Sequence, residues 1–134
     1  MKKLIISIMI LVTLITLSSC IKYTSSFKAI GLVRSNNSHS CSASFHSLEG
    51  QLVFKIKKSD LGTSEGDISY SIVVEQGEVK LSYDIYGVKE DLAFVKSGES
   101  VASRGGYVET GKYVYIIIEG TNNARGKVTV ELDN

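Results

Sequence analysis

Few side chains in this 134-residue sequence could do chemistry: two His, two Cys, no Trp, seven Tyr and 14 acids. His39-Ser40-Cys41 with nearby His46 is the one place where His and Cys gather. A transition metal wants three or four converging ligands. A Cys–His nucleophile pair wants a third group that orients the base. This Ser-rich stretch offers neither, so no catalytic residue is assigned and the histidines read as solvated.

Asp60, Glu65 and Asp67 flank two glycines, Gly62 and Gly66, and form the one weak calcium candidate. Such turns supply carboxylate and carbonyl oxygens to calcium, but Asp and Gly also dominate ordinary hairpin loops. No EF-hand spacing is present, and no cofactor is expected. The tyrosines Tyr83, Tyr86, Tyr107, Tyr113 and Tyr115 could form a sugar-stacking platform. Strand parity assigns Tyr83 to the buried face, and Tyr113 and Tyr115 to an apolar central strand, leaving Tyr86 and Tyr107 free. Glu90-Asp91 and Glu109 are scattered carboxylates, and no two of them mark a paired acid and base. Gly105-Gly106 follows no strand into a helix, so it reads as a turn rather than a phosphate cradle.

The first twenty residues are the most specific part of the chain. Lys2 and Lys3 precede an apolar run from Leu4 to Leu17, and Ser18, Ser19 and Cys20 follow. Positive charge, a short apolar stretch and small exit residues form a secretory signal pattern. At 1.5 Å per residue that run rises roughly 21 Å, short of the ~30 Å hydrocarbon core. Leu17-Ser18-Ser19-Cys20 resembles the lipobox of bacterial lipoproteins. The resemblance implies cleavage between Ser19 and Cys20 and a diacylglyceryl group, with acyl chains of the palmitate kind, on the Cys20 thiol. Two such chains, at ~0.8 kcal/mol per buried CH₂, hold a protein stably at a membrane. With Cys20 spent on lipid, Cys41 has no partner for an internal disulfide.

Removing residues 1–19 takes Lys2 and Lys3 from the 15 basic residues, leaving 13 against 14 acidic ones. With no long basic run, neither nucleic acid nor anionic headgroups are expected partners, and the membrane assignment rests on lipid rather than on charge. Residues 24–47 are polar, 11 of them Ser, Thr or Asn. Read as a flexible linker, they span about 25–30 Å and hold a domain clear of the headgroups. Phe27 to Arg34 reads equally well as a first strand, whereas Ser35 to Ser40 reads as loop.

From about Gln51 the period changes to two. Leu52, Phe54 and Ile56 alternate with Val53, Lys55 and Lys57, and similar runs cover 68–75, 79–86 and 127–132. Alternation rich in Val, Ile, Tyr and Thr describes half-buried strands. Gln76-Gly77, Gly87, Ser97-Gly98, Gly105-Gly106, Gly120 and Gly126 read as turns between them. Tyr113–Ile118 is apolar on both faces and belongs in the middle of the structure. The stretch Gly111–Ile116 with Glu119-Gly120 and Ala124–Val128 resembles the closing hairpin of small secreted bacterial β-sandwiches. These include jelly-roll-like domains of exported peptidases and Gram-positive cell-surface lipoproteins. That resemblance spans roughly residues 76–132 and implies a fold, since one sandwich hosts many functions.

The expectation is an all-β chain: signal peptide 1–19, lipidated Cys20 with a Ser-rich tether over 20–44, and one antiparallel β-sandwich over 45–134. It would sit on the extracytoplasmic face of the cell membrane, held by lipid. There it would act as a non-enzymatic binding or structural module for an envelope protein or wall polymer. The alternative is a cell-wall or carbohydrate-active hydrolase, or its accessory domain. A receptor feeding a transporter is excluded, because the chain is too short for two α/β lobes.

Overall fold

The computed structural model describes residues 23–57, 65–109 and 111–132, Glu65 by its backbone alone. The signal peptide, Ser19, Cys20 and Asp60 lie outside the described residues. Among the described residues seven strands follow in chain order: β1 (Ser26–Ile30), β2 (Val33–Asn36), β3 (Ser40–Lys57), β4 (Glu65–Asp84), β5 (Lys89–Lys96), β6 (Ser100–Glu109) and β7 (Tyr113–Leu132). All pairings are antiparallel, in the order β1-β3-β7-β4-β5, with β2 on the far half of β3 and β6 on the far half of β4.

Three of these strands have 18 to 20 residues. At about 3.3 Å per residue a straight strand of that length would run some 60 Å. Yet the Lys57 amide, at the end of β3, donates to the Ser38 carbonyl just before its start, at 2.7 Å. The strand therefore doubles back. Its register with β7 slips between Phe45 and Leu48 and between Leu48 and Gly50, and β4 slips against β7 between Val74 and Glu78. β7 bends nearby, where Asn122 and Asn123 adopt left-handed φ of 57° and 52°. These irregularities fall in line across the sheet and fold it into two layers, bulges being the usual device for such corners. One layer orders β2, β3 (40–45), β7 (126–132), β4 (65–74) and β6; the other orders β1, β3 (50–57), β7 (113–120), β4 (78–84) and β5.

One core lies between the layers. Cys41, Ala43, Phe45, Ile72, Val128 and Val130 from the first layer meet Leu52, Phe54, Leu81, Ile116 and Ile118 from the second. β7 is central in both layers, paired along its length with β3 and β4, which buries the apolar run after Tyr113.

The all-β antiparallel sandwich stands, but several boundaries move. The sandwich begins at Ser26, not 45, because β1 and β2 pair along both halves of β3. The stretch assigned to a tether over 20–44 thus contributes an edge of the sheet; its serines alternate outward while Cys41 and Ala43 point into the core. Ser35 and Asn36, read as loop, close β2. Gln76-Gly77, Gly120 and Gly126 do not reverse the chain. Gly77 has φ +73° at the corner of β4, where an added Cβ would lie 2.5 Å from the Thr121 carbonyl oxygen. The segment resembling a closing hairpin is likewise one bent strand, since its two halves pair with β3 and β4 rather than with each other.

Candidate functional site

A cleft opens at the edge where β5 of one layer and β6 of the other end side by side. Its floor is Tyr83, an inward residue of β4 that is nine-tenths or more buried. A buried phenol needs a hydrogen-bond partner. The Tyr83 hydroxyl donates to Glu90 Oε2 at 2.7 Å and accepts from the Tyr107 amide at 3.3 Å. Burial and then the Glu90 contact raise its pKa above the ordinary phenol value.

Gly106 lets β6 come this close. Its φ is +73°, and a Cβ there would stand 2.9 Å from two carbons of the Tyr83 ring. Only glycine adopts that backbone freely and leaves room for the ring. The register of β6 against β4 slips at this point, between Gly66 and Ile68. Gly105-Gly106 is therefore a bulge inside a strand rather than a turn.

The walls of the cleft are Tyr86, Tyr107, Val88 and Ile85, with Glu90 at the floor, around about 300 Å³. Tyr86 is 57% exposed, Tyr107 42% and Val88 68%. The Tyr107 hydroxyl donates to Glu109 Oε1 at 3.3 Å. Tyr86 hydrogen-bonds the same carboxylate, which pushes its phenol up to about 12. Two exposed rings thus stand beside carboxylates that already accept hydrogen bonds. Aromatic faces with adjacent acceptors suit a ligand that offers C–H or cationic groups to the rings and hydroxyl or amine donors to the acids.

The two tyrosines off the inward parity, Tyr86 and Tyr107, come together in this cleft. Tyr113 is also exposed, at 54%, because the outer face of its layer is only partly covered. Its neighbour Tyr115 is half-buried. Asp91 does not join Glu90 in the cleft; it accepts from Ser82 Oγ at 3.0 Å and pairs with Lys80 at 3.4 Å.

The His–Cys stretch comes apart. Cys41 faces the core and His46 the opposite side of β3, while the His39 carbonyl accepts from the Leu132 amide at 2.9 Å. These residues are not in a solvated tether. Burial pushes the Cys41 thiol up to about 12, so a thiol reagent should modify it only when the chain unfolds. Of the calcium candidates, Asp60 lies outside the described residues and Asp67 sits within β4. Among the described residues no three His, Cys, Asp or Glu side chains cluster as a metal site.

The sequence places Glu109 only among scattered carboxylates and singles out neither Val88 nor the bulge at Gly106. A glycine pair directly before Tyr107 is the signal for that bulge.

The fold and the cleft define a class: an antiparallel β-sandwich with an aromatic, carboxylate-rimmed cleft at one edge. No protein-family profile and no curated relative matches the chain. Among solved structures it resembles carbohydrate-binding modules. A substituted family 29 module complexed with mannohexaose matches at 12% identity over 81% of this chain and 77% of that one, TM-score 0.41. TmCBM61 in complex with β-1,4-galactotriose matches at 13% identity over 87% of this chain and 73% of that one, TM-score 0.42. Likeness of this degree carries no ligand across.

Proposed function

We propose that the chain is a membrane-anchored cell-envelope lipoprotein. Its sandwich is a non-enzymatic binding module, and the Tyr86–Tyr107 cleft is its binding face. Support for the anchor is the pattern from Lys2 to Cys20, with cleavage after Ser19 and lipid on Cys20. The observation that carries the binding reading is the pair of exposed rings, Tyr86 and Tyr107, whose hydroxyls bond Glu109, in a cleft that Glu90 also lines. Exposed aromatic side chains grouped in a concave site favour a ligand over water. The ligand class this chemistry fits best is a hydroxyl-rich segment of a wall polymer. Tethering would raise the local concentration of that face at the membrane.

Calorimetric titration of the full lipidated chain in detergent with soluble wall fragments and oligosaccharides tests the reading. Saturable binding weakened roughly fivefold in each of Tyr86→Ala and Tyr107→Ala is expected; an affinity that neither substitution changes places the face elsewhere. Cys20→Ala should leave the precursor unlipidated and uncleaved, and a lipidated mature product from that variant would overturn the anchor.

A second reading, a hydrolase or its accessory domain, draws on the two carboxylates at the cleft. It predicts slow release of reducing ends from the bound polymer, abolished by Glu109→Gln.

A further inference from the structure

On the outer face of the β1-to-β5 layer, the residues before β1 do not continue along the sheet edge. Ser25 Oγ accepts from the Val53 amide at 2.9 Å, and the Thr24 carbonyl accepts from Gln51 at 3.2 Å. Tyr23 then reaches two strands inward. Its hydroxyl donates to Asp84 Oδ2 at 2.6 Å, and its ring packs on Tyr115 with centroids 5.6 Å apart. The Asp84 contact, then burial, push the Tyr23 phenol up to about 12. The chain thus enters the domain across the middle of a sheet face.

Beside that entry lies a cationic and aromatic patch. Lys55 and Lys57 pair in register with Tyr115 and Tyr113. Lys55 Nζ stands 4.3 Å from the Tyr113 ring centroid, and Lys57 Nζ stands 5.6 Å from it. The described acids nearby are already engaged. Asp84 takes Tyr23 and the Gly87 amide, Glu119 pairs with Lys89 at 2.6 Å, and Asp91 pairs with Lys80. Among the described residues neither Lys55 nor Lys57 pairs with a carboxylate, and Asp84 meets only neutral donors, so the described patch holds two cations against one anion.

We infer that the face carrying Tyr23, Lys55, Lys57, Tyr113 and Tyr115 docks on an anionic lipid surface. The inference rests on the proposed anchor at Cys20. Three residue steps separate Cys20 from Tyr23, at most about 11 Å of extended chain. Acyl chains on Cys20 would hold Tyr23 within that reach of the bilayer surface, whatever path the intervening residues take. Tyrosine rings and lysine ammonium groups are the side chains that interfacial headgroups accept, and an anionic leaflet attracts lysines within about a Debye length. Asp84 also holds the Gly87 amide, at 2.6 Å, in the bend that carries Tyr86. Docking therefore steadies the cleft's approach to material at the membrane.

The chain has no Trp, so one introduced tryptophan reports alone. Full-length mature protein carrying Tyr113→Trp, or Val73→Trp on the outer face of the other layer, is reconstituted in phosphatidylcholine vesicles with and without phosphatidylglycerol. Some of the lipid is brominated near the headgroup end of its chains. Intact mass first reports whether Cys20 carries diacylglyceryl. The expected result is strong quenching at 113, little at 73, and a dependence on phosphatidylglycerol. Lys55→Gln and Lys57→Gln should each lower the docked-to-free ratio roughly fivefold. Equal quenching at 113 and 73, or quenching indifferent to both lysines and anionic lipid, overturns docking while leaving the anchor intact. So does protection of position 113 by wall fragments but not by vesicles. A mass without diacylglyceryl overturns the anchor, and docking with it.

Discussion

The folded sheet has two open edges, and they are closed by different chemistry. At the β1/β2 edge the Arg34 guanidinium lies 5.5 Å from the Phe54 ring centroid and 6.0 Å from that of Phe27. Phenylalanine has no hydrogen bond to satisfy, so one planar cation over two rings covers this part of the edge. At the β5/β6 edge the inward aromatic is Tyr83, and its hydroxyl must find a partner at the boundary of the core. Glu90 and the Tyr107 amide supply it. Meeting that need brings a carboxylate, a glycine bulge and two exposed rings to the same place, and the result is a cleft. One buried hydroxyl separates a sealed edge from a candidate binding site.

The comparison breaks most readily at Gly106. Gly106→Ala forces a Cβ toward the Tyr83 ring on a backbone with φ +73°. It should cost about 1–3 kcal/mol and abolish ligand binding, read by thermal unfolding and calorimetry together. Unaltered stability would mean that the two strands can part without loss. Next, the double variant Tyr86→Ala/Tyr107→Ala should lower affinity by about 1 kcal/mol for each ring removed, with the melting temperature nearly unchanged. Phe27→Ala at the opposite edge should do the reverse, lowering stability and sparing binding. If Phe27→Ala weakens binding as much as the tyrosine pair does, the edges are not functionally distinct. Arg34→Ala should cost only about 0.5–1 kcal/mol, the worth of a cation over rings at an exposed site.

The smallest expected effect is on alkaline stability. Tyr86 has a folded pKa of about 12 against an ordinary 10.0. Above pH 10 the unfolded chain releases this proton before the folded chain does. The Tyr86–Glu109 contact therefore stabilises the fold fully below pH 10 and ceases to do so as pH rises toward 12. Glu109→Gln should flatten that part of the stability profile. Cys41, raised from 9.0 to about 12 by burial, adds a similar slope from pH 9 upward, but it does so in both proteins. An unchanged slope in the variant would show that Glu109 does not hold the phenol.

Much of the strand content was legible because it depends only on local alternation. Leu52, Phe54 and Ile56, or Val128, Val130 and Leu132, would face one way in any sheet, and all six are buried. Tyr86 and Tyr107 stood out for the same reason, as aromatic residues off the inward parity. What failed were the positions where local residue type is ambiguous. Gly77 and Gly106 permit either a reversal or a bend. Which one occurs depends on whether the flanking segments pair with each other or with strands far away in sequence.

The serines before residue 45 were ambiguous in the same way. A polar outer face on an edge strand and a solvated linker have nearly the same composition, and only partners on β3 separate them. By itself, then, the sequence determined the antiparallel β class and the apolar faces that had to be buried. Those follow from side-chain period, which is a local property. The tertiary structure alone decided that the long strands fold over into two layers and that the buried Tyr83 lies at the edge of the core. It likewise decided that Tyr86, Tyr107, Glu90 and Glu109 share one cleft. Each of these depends on contacts between residues distant in the chain, and no local pattern encodes a contact that exists only once the sheet has bent.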